Sequence, residues 1–345
     1  MQLSRRRFLM AAAGAVAARA QDASPALVMD RGFGRVSRIA DRVYATIADA
    51  SKGMQCASNG GILAGRDRTL LIEGFMQAAG AELQVAAARE VAKAPVRAVV
   101  DTHFHLDHSL GNSYYAEQRI PIMAHEQTGP MMKKAYEPMK AAERSRYLAP
   151  IQEKLAHAGS EQEKKRRQND VTAAGILFDA LQAGTLAYPT EALATRSLPM
   201  RMNLGGLTAV IEFHLGHTPT DLLIIVPERD IVFAGDLLFH RGFPVSIDAD
   251  MVAWRRALDR LARFDRKTQI VPGHGPVCGQ EIVEEQMALF DDMQAHADKM
   301  KAAGANAEEA AQRYQPPARF SNFRMLSWDF TIGAAMRSYY GIRAA

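Results

Sequence analysis

Residues 36–47 (VSRIADRVYATI) alternate apolar and polar positions as a half-buried strand does, and 60–72 (GGILAGRDRTLLI) reads as two short strands joined by the turn Gly65-Arg66-Asp67-Arg68. An Ala-rich amphipathic helix over about 77–93 follows, and then the apolar strand 96–100 (VRAVV). Strand pairs first, then strand, helix and strand, predict a mixed α/β (α+β) architecture rather than an all-helical one. Over about 126–185 the β-branched residues thin out and Lys, Glu, Gln, Ala and Met take over, which predicts two or three helices. Within them 161–167 (EQEKKRR) intermixes acids and bases and reads as a solvated helix face rather than a phosphate-binding patch. Strand character returns at 207–215, 221–226 and 230–234, followed by a helix over 251–264 and a strand at 269–271. The remainder is again largely helical, broken at Gly304 and Pro316-Pro317. With no repeat and no long linker, one domain over 21–280 is expected, carrying a helical insertion at about 126–185 and a helical C-terminal extension over 281–345.

Residues 1–20 (MQLSRRRFLMAAAGAVAARA) are a separate object: a basic start, a small-residue apolar run over 8–18, and Ala18-Arg19-Ala20 ahead of a plausible cut before Gln21. The run is too short for a permanent membrane span, so no stable membrane anchor is expected. Ser4-Arg5-Arg6-Arg7-Phe8-Leu9 resembles the twin-arginine export signal, departing where Met10 replaces the frequent lysine. The resemblance implies a periplasmic or secreted protein exported folded, commonly with a cofactor or metal already bound. It also reinterprets the charge. The chain carries 42 Lys+Arg against 38 Asp+Glu, but four of those bases are Arg5, Arg6, Arg7 and Arg19, leaving 38 against 38 beyond residue 20. The basic excess is then an export address, and no nucleic-acid partner is expected. Two cysteines exclude a disulfide scaffold and a four-cysteine zinc module; Cys56 and Cys278 could still pair after export.

The candidate chemistry sits where strands end. Directly after strand 96–100 comes Asp101-Thr102-His103-Phe104-His105-Leu106-Asp107-His108. In an extended segment His103 and His105 point to the same side, and Asp107 and His108 follow where the chain turns into a helix, so one turn can present ligands to two cations. His217 in Leu215-Gly216-His217-Thr218-Pro219, Asp236 in Ala234-Gly235-Asp236, and His274 in Pro272-Gly273-His274-Gly275 each follow a predicted strand as well. A lone His at a strand end is usually structural, but four such sites in order point to a metal centre.

HxHxDH, a later GH, a GD and a final GHG, spread over about 36–280, resemble the metallo-β-lactamase superfamily. The resemblance implies an αββα sandwich with metals at one edge. It implies two zinc ions per chain, with iron or manganese as alternatives: His103, His105 and His217 would hold the first, Asp107, His108 and His274 the second, and Asp236 would bridge both. It also implies a hydrolase whose metal-bound hydroxide, oriented by Asp107, attacks the carbonyl of a small ester, lactone, thioester or amide.

Around these ligands the residues read in more than one way. Asp221 could accept a ligand-imidazole N–H or cap the local backbone; Asp101, Thr102 and Glu73 could support the same shell; His240 and Arg241 are candidate substrate contacts, while His125 and His214 stay unassigned. Three departures bear on substrate. Asp236 stands where the best-known β-lactamase subclass has Cys, Phe239 stands where that subclass has a carboxylate-binding Lys, and the motifs of the nucleic-acid-processing branch are not recognisable. A small-molecule substrate is expected. A class B-like β-lactamase is the main alternative, and a non-haem iron redox enzyme the second, although the di-iron branch usually has Glu where His105 stands. The insertion is expected to lie over the metal edge, with Met131, Met132, Tyr136, Phe178 and Tyr188 forming either a substrate wall or helix core.

Overall fold

The alternating stretch at 36–47 is two strands rather than one: β2 (Gly34–Ala40) and β3 (Val43–Ala48) form an antiparallel pair that reverses at Asp41-Arg42, with Arg42 at φ 63°. Only β2 is half-buried, since 43–46 of β3 are buried on both faces, and the tight turn of two polar residues between them lacks the Gly or Pro that would mark it in the sequence. A computed structural model describes residues 26–342, so the proposed export signal at 1–20 lies outside the described residues.

The first sheet has eight strands in chain order. β1 (Ala26–Asp30), β2, β3, β4 (Gly60–Ala64) and β5 (Thr69–Ile72) pair antiparallel. After helix α1 (Ala78–Val91), strand β6 (Val96–Val100) pairs parallel with β5; the short helices α2 (Leu106–Ser109) and α3 (Asn112–Glu117) then lead to β7 (Ile122–His125), also parallel. The insertion is three helices, α4 (Thr128–Ala141), α5 (Arg144–Ala156) and α6 (Glu161–Ala183), before the edge strand β8 (Glu191–Leu193).

The second sheet holds β9 (Met200–Asn203), β10 (Thr208–Phe213), β11 (Leu222–Val226) and β12 (Ile231–Phe239), antiparallel in sequence, with β13 (Gln269–His274) added parallel to β12 after helix α7 (Met251–Ala262). The C-terminal part is α8 (Gln280–Ala302), α9 (Ala307–Arg313) and α10 (Ala334–Tyr339).

Layering follows from which faces are apolar. Val43, Leu63, Ile72 and Val100 of the first sheet meet Ile211, Ile224 and Phe233 of the second in a shared core. The outer face of the first sheet, with Ile62, Leu71 and Val99, is covered by Leu83 and Val85 of α1. On the far side Val232, Leu238 and Ile270 pack under Trp254 and Leu258 of α7 and under Leu289 and Phe290 of α8. The order helix, sheet, sheet, helix is thus an αββα sandwich, and the C-terminal extension supplies part of its second helical layer. Leu106 and Leu110, beside the HxHxDH turn, share a smaller cluster with Met132, Tyr136 and Leu181 of the insertion. Among the described residues no helix is long and apolar enough to cross a membrane.

The two sheets are stitched at one edge. Leu222 N–H donates to Thr102 O at 2.8 Å, and Asn59 N–H donates to Gly273 O at 2.8 Å while its side-chain amide reaches Pro272 O and Gly275 O at 2.9 and 2.7 Å. These bonds hold the ends of β6 and β13 and the loop between β10 and β11 together, and that is where the five histidines meet.

Candidate metal centre

The support begins at the end of β5. Glu73 is fully buried and holds φ at 90°, a left-handed conformation that favours glycine, so its carboxylate is turned inward at some backbone cost. It accepts from Thr102 N–H at 3.2 Å and from Thr102 Oγ1 at 2.8 Å, and lies 2.9 Å from His108 Nδ1. Because the single Thr102 hydroxyl proton goes to Glu73, Oγ1 can only accept from His103 Nδ1, 3.0 Å away. His103 is therefore protonated on Nδ1, with the Nε2 lone pair bare, while His108 Nδ1 faces the Glu73 carboxylate as an ion-pair contact without an aligned hydrogen bond.

The same logic fixes two more rings. His105 turns Nε2 to Asp248 Oδ2 at 2.9 Å, with Nδ1 facing inward, and His274 donates Nδ1 to Ala57 O at 3.0 Å, with Nε2 facing inward. The inward nitrogens converge. His217 Nε2 and His105 Nδ1 share a hydrogen bond of 2.9 Å, and His103, His105 and His217 form one potential ligand group, all three buried. Asp107, His108 and His274 form a second, with Asp107 Oδ2 3.3 Å from His274 Nε2 and 3.6 Å from His108 Nε2.

Asp236 stands between them in the middle part of β12, one residue past Gly235. Its Oδ2 lies 3.3 Å from His217 Nε2 and 4.0 Å from His103 Nε2; its Oδ1 lies 3.1 Å from His108 Nε2 and 3.3 Å from His274 Nε2. Two glycines make room. Gly235 takes a φ of 50°, and a Cβ on Gly273 would come within 1.9 Å of Asp236 Oδ1.

The donor set fits divalent cations by an independent criterion. His103 Nε2, His108 Nε2 and Asp236 Oδ1 are buried and make no hydrogen bond among the described residues, although His108 and Asp236 approach to 3.1 Å. Buried polar atoms left unaligned at such distances are costly as a hydrogen-bond network and natural as ligands aimed at ions between them. The electrostatics is uneven across the rings. Burial, with His105 beside it, pushes His217 down to about 3, the neutral form a ligand needs. At His274, in contrast, burial is outweighed by Asp236 and Asp107, which hold it up at about 10, and at His108 by Asp236 and Glu73, which hold it well above its usual range, so the carboxylates favour positive charge in this pocket. Burial would raise Asp107, yet His108 and His274 hold it down at about 2, ionised.

The remaining candidates separate. Asp221 caps the loop, accepting from Thr218 N–H at 2.9 Å and Thr218 Oγ1 at 2.6 Å, while His217 Nδ1 makes no hydrogen bond among the described residues; of the two readings the backbone cap is the one observed. Burial lifts Asp221 to about 7 in spite of those bonds. Asp101 accepts from Asn112 at 2.6 Å and so fastens α3 instead of touching a ligand ring. His125 stacks on Phe213 at 4.4 Å and meets Thr195, and His214 pairs with Glu212, both away from the cluster. Cys56 and Cys278 are free thiols, not a pair, and burial pushes both up to about 12.

A cavity of about 790 Å³ opens over Asp107, His105, Asp236 and His274. His240 lines it, but Arg241 does not: its guanidinium is held by both oxygens of Glu285 at 3.0 Å, which corrects its reading as a substrate contact. Of the five apolar residues expected as a wall only Tyr136 reaches the cavity; Met132 and Phe178 are helix core, and Met131 and Tyr188 pack beside them, because the helices of the insertion must first bury one another. The insertion's wall is completed by Met139, Tyr147 and Leu177. Two contributors went unread. Asp248 sits in Ser246-Ile247-Asp248-Ala249-Asp250, where either acid could cap α7, and it is Asp250 that does so. Arg324 enters from a segment 50 residues beyond the last ligand, with no motif around it.

Comparison with known proteins agrees with this geometry. A family model described as the metallo-beta-lactamase superfamily matches residues 53–274. The metallo-beta-lactamase type 2 of Bacteroides fragilis is 32% identical over 81 residues, 22% of this chain, and the match spans only 32% of that relative's length. Among solved structures, a metallo-beta-lactamase from Pontibacter korlensis has a TM-score of 0.54 at 19% identity, over 75% of this chain and 99% of that one. The metallo-beta-lactamase FIM-1 from Pseudomonas aeruginosa, in a mono-zinc form, gives 0.53 at 20% identity over 75% and 95%. The inverting sec-alkylsulfatase Pisa1 from Pseudomonas sp. gives 0.62 at 16% identity over 88% of this chain and 49% of that one. At these identities the structural likeness is one of fold.

Proposed function

The chain belongs to the metallo-beta-lactamase superfamily, and from that premise we propose that it is a dinuclear zinc-dependent hydrolase acting on the carbonyl of an ester, lactone, thioester or amide. The observation that carries this reading is Asp236, whose two carboxylate oxygens face two different groups of inward ligand nitrogens. Zinc is favoured by the His-rich donor set and by a structural neighbour described in a mono-zinc form. When bound, two zinc ions would supply a water of lowered pKa and Lewis-acid polarisation of the substrate oxygen.

The chain's own residues do the rest. Asp107 is about a quarter exposed, on the cavity side, and ionised, so it can accept a hydrogen bond from an attacking water and orient it towards the substrate. Phe239 stacks on the His274 ring at 5.2 Å and Trp254 meets His217 edge-on at 4.9 Å, which keeps those rings from rotating. The apolar cavity walls displace water from the substrate's body and leave the polar floor for the scissile group. As part of the same reading, residues 1–20 direct the folded, metal-loaded protein out of the cytoplasm.

A screen of the zinc-loaded protein against aryl esters, lactones, thioesters, alkyl sulfates and β-lactams tests the proposal. Turnover of acyl substrates that EDTA abolishes and zinc restores is expected; a protein with two bound zinc ions that turns over none of them contradicts it. The B. fragilis likeness supports β-lactam hydrolysis as a second reading, which nitrocefin turnover distinguishes.

A further inference from the structure

The cavity is unevenly built. Its walls are apolar, among them Met54, Met139, Leu177, Phe243, Leu326 and Phe330, and its floor is the metal cluster. Among the described residues that line it, Arg324 alone carries a guanidinium or ammonium group. Its backbone is rigidly placed: Arg324 N–H donates to Arg241 O at 3.1 Å, Arg324 O accepts from Phe243 N–H at 2.8 Å, and the two segments form a parallel bridge at Gly242. That segment is the direct continuation of the strand carrying Asp236, and His240 within it donates its N–H to His274 O at 3.1 Å.

The Arg324 side chain, in contrast, is exposed and makes no hydrogen bond or ion pair with the described residues, whereas neighbouring Arg241 is fully engaged by Glu285. The acid of the cavity that is not a candidate ligand, Asp49, is occupied by Ser51, accepting from its N–H at 3.1 Å and its hydroxyl at 2.6 Å. A fixed backbone presenting a free guanidinium beside apolar walls is suited to a planar or tetrahedral anion, which it can hold through two parallel N–H donors. A neutral apolar substrate would cover that cation without satisfying it.

Resting on the hydrolase reading, we propose that the substrate is an anionic amphiphile: an acyl compound whose apolar body fills the cavity and whose carboxylate or sulfate pairs with Arg324, away from the bond that is cleaved. Arg324 is a specificity residue contributed by the C-terminal extension.

The zinc-loaded protein is compared with its Arg324→Ala and Arg324→Lys variants on two esters of equal length, mono-p-nitrophenyl suberate and p-nitrophenyl octanoate. For Arg324→Ala, KM for the suberate should rise about tenfold with kcat nearly unchanged, KM for the octanoate should not move, and Arg324→Lys should recover part of the loss. Calorimetric binding of octane-1-sulfonate, a weak metal ligand, supplies a readout independent of turnover. It should weaken about tenfold in Arg324→Ala, while 1-octanol binds all three proteins alike. Equal behaviour of the two esters and of the two alkyl probes in wild type and Arg324→Ala would overturn the proposal, as would a loss that is the same for charged and neutral partners. If neither ester is cleaved but sulfonate binding still depends on Arg324, anion docking stands and the carbonyl-hydrolase reading falls.

Discussion

At the scale of single residues, hydrogen bonds on the outer nitrogens of His103, His105 and His274 and the Glu73 contact at His108 turn the other nitrogen of each of these rings towards the cluster. Glu73 does the most, since it orients His108 directly and His103 through Thr102, one ring from each ligand group. Glu73→Gln keeps the shape but removes the charge that favours Nδ1 protonation. We expect zinc affinity, measured by chelator competition, to fall about 10- to 100-fold with the fold retained by circular dichroism; unchanged affinity would remove Glu73 from the support. The ligands themselves were readable in the sequence because the strand period puts His103 and His105 on one side and each remaining ligand follows a strand. Asp248 was not, because an acid before a helix is as well explained by capping, and only its 2.9 Å approach to His105 separates the roles. Arg241 misled for a related reason: nearness in sequence to Asp236 says nothing of Glu285, which lies on a distant helix and holds it.

At the scale of elements, the insertion and the C-terminal extension are fastened to each other as well as to the sandwich. Asp170 of α6 accepts from Ser327 Oγ at 2.6 Å and Asp329 N–H at 3.2 Å, and the Arg166 guanidinium lies 3.4 Å from the centroid of the Trp328 ring. Asp170→Ala strands buried donors and should cost about 1–3 kcal/mol of stability. Because both segments wall the cavity, KM should change while zinc content stays at the wild-type value; parallel loss of zinc would show that the clamp supports the metal edge instead. A second link joins β10 to α7, where Glu212 meets Arg260 through two bonds of 2.9 and 3.0 Å and His214 at 3.1 Å. The His214 contact and then Arg260 hold its carboxyl down at about 2, against an ordinary value of 4.5. With the folded value depressed, its contribution is present above about pH 4.5 and is lost as pH falls towards 2. Since the pair lies at the surface, with about a fifth of the Glu212 side chain still in solvent, Glu212→Gln should lower stability by only about 0.5–1 kcal/mol at pH 7, and the gap to wild type should close across that window in denaturant titrations. A gap independent of pH would contradict the assignment. The longer elements were readable from periodicity, with two or three helices expected in the insertion where there are three, whereas β1, β7, β8 and β9 are short or irregular runs that periodicity does not mark, and the β2–β3 turn carries no Gly or Pro to signal it.

At the scale of the whole molecule, three apolar clusters in helix–sheet–sheet–helix order bring residues separated by up to 217 positions, Ala57 to His274, to a single edge. The fold class was readable because strand pairs, helices and ligand turns fall in an order few architectures share. What periodicity could not supply is the docking of the C-terminal extension, which completes the outer helical layer and lends Arg324 to the cavity. Beyond residue 20 the chain balances 38 bases with 38 acids, so bound cations would be the dominant local charge at the site. The central claim is that Asp236 joins two metal positions. Elemental analysis of the zinc-loaded, dialysed protein beside its Asp236→Ala variant measures this directly: two zinc per chain are expected for the wild type and at most one for the variant, with hydrolysis lost. One metal per wild-type chain, or two zinc retained equally by Asp236→Ala, would contradict it.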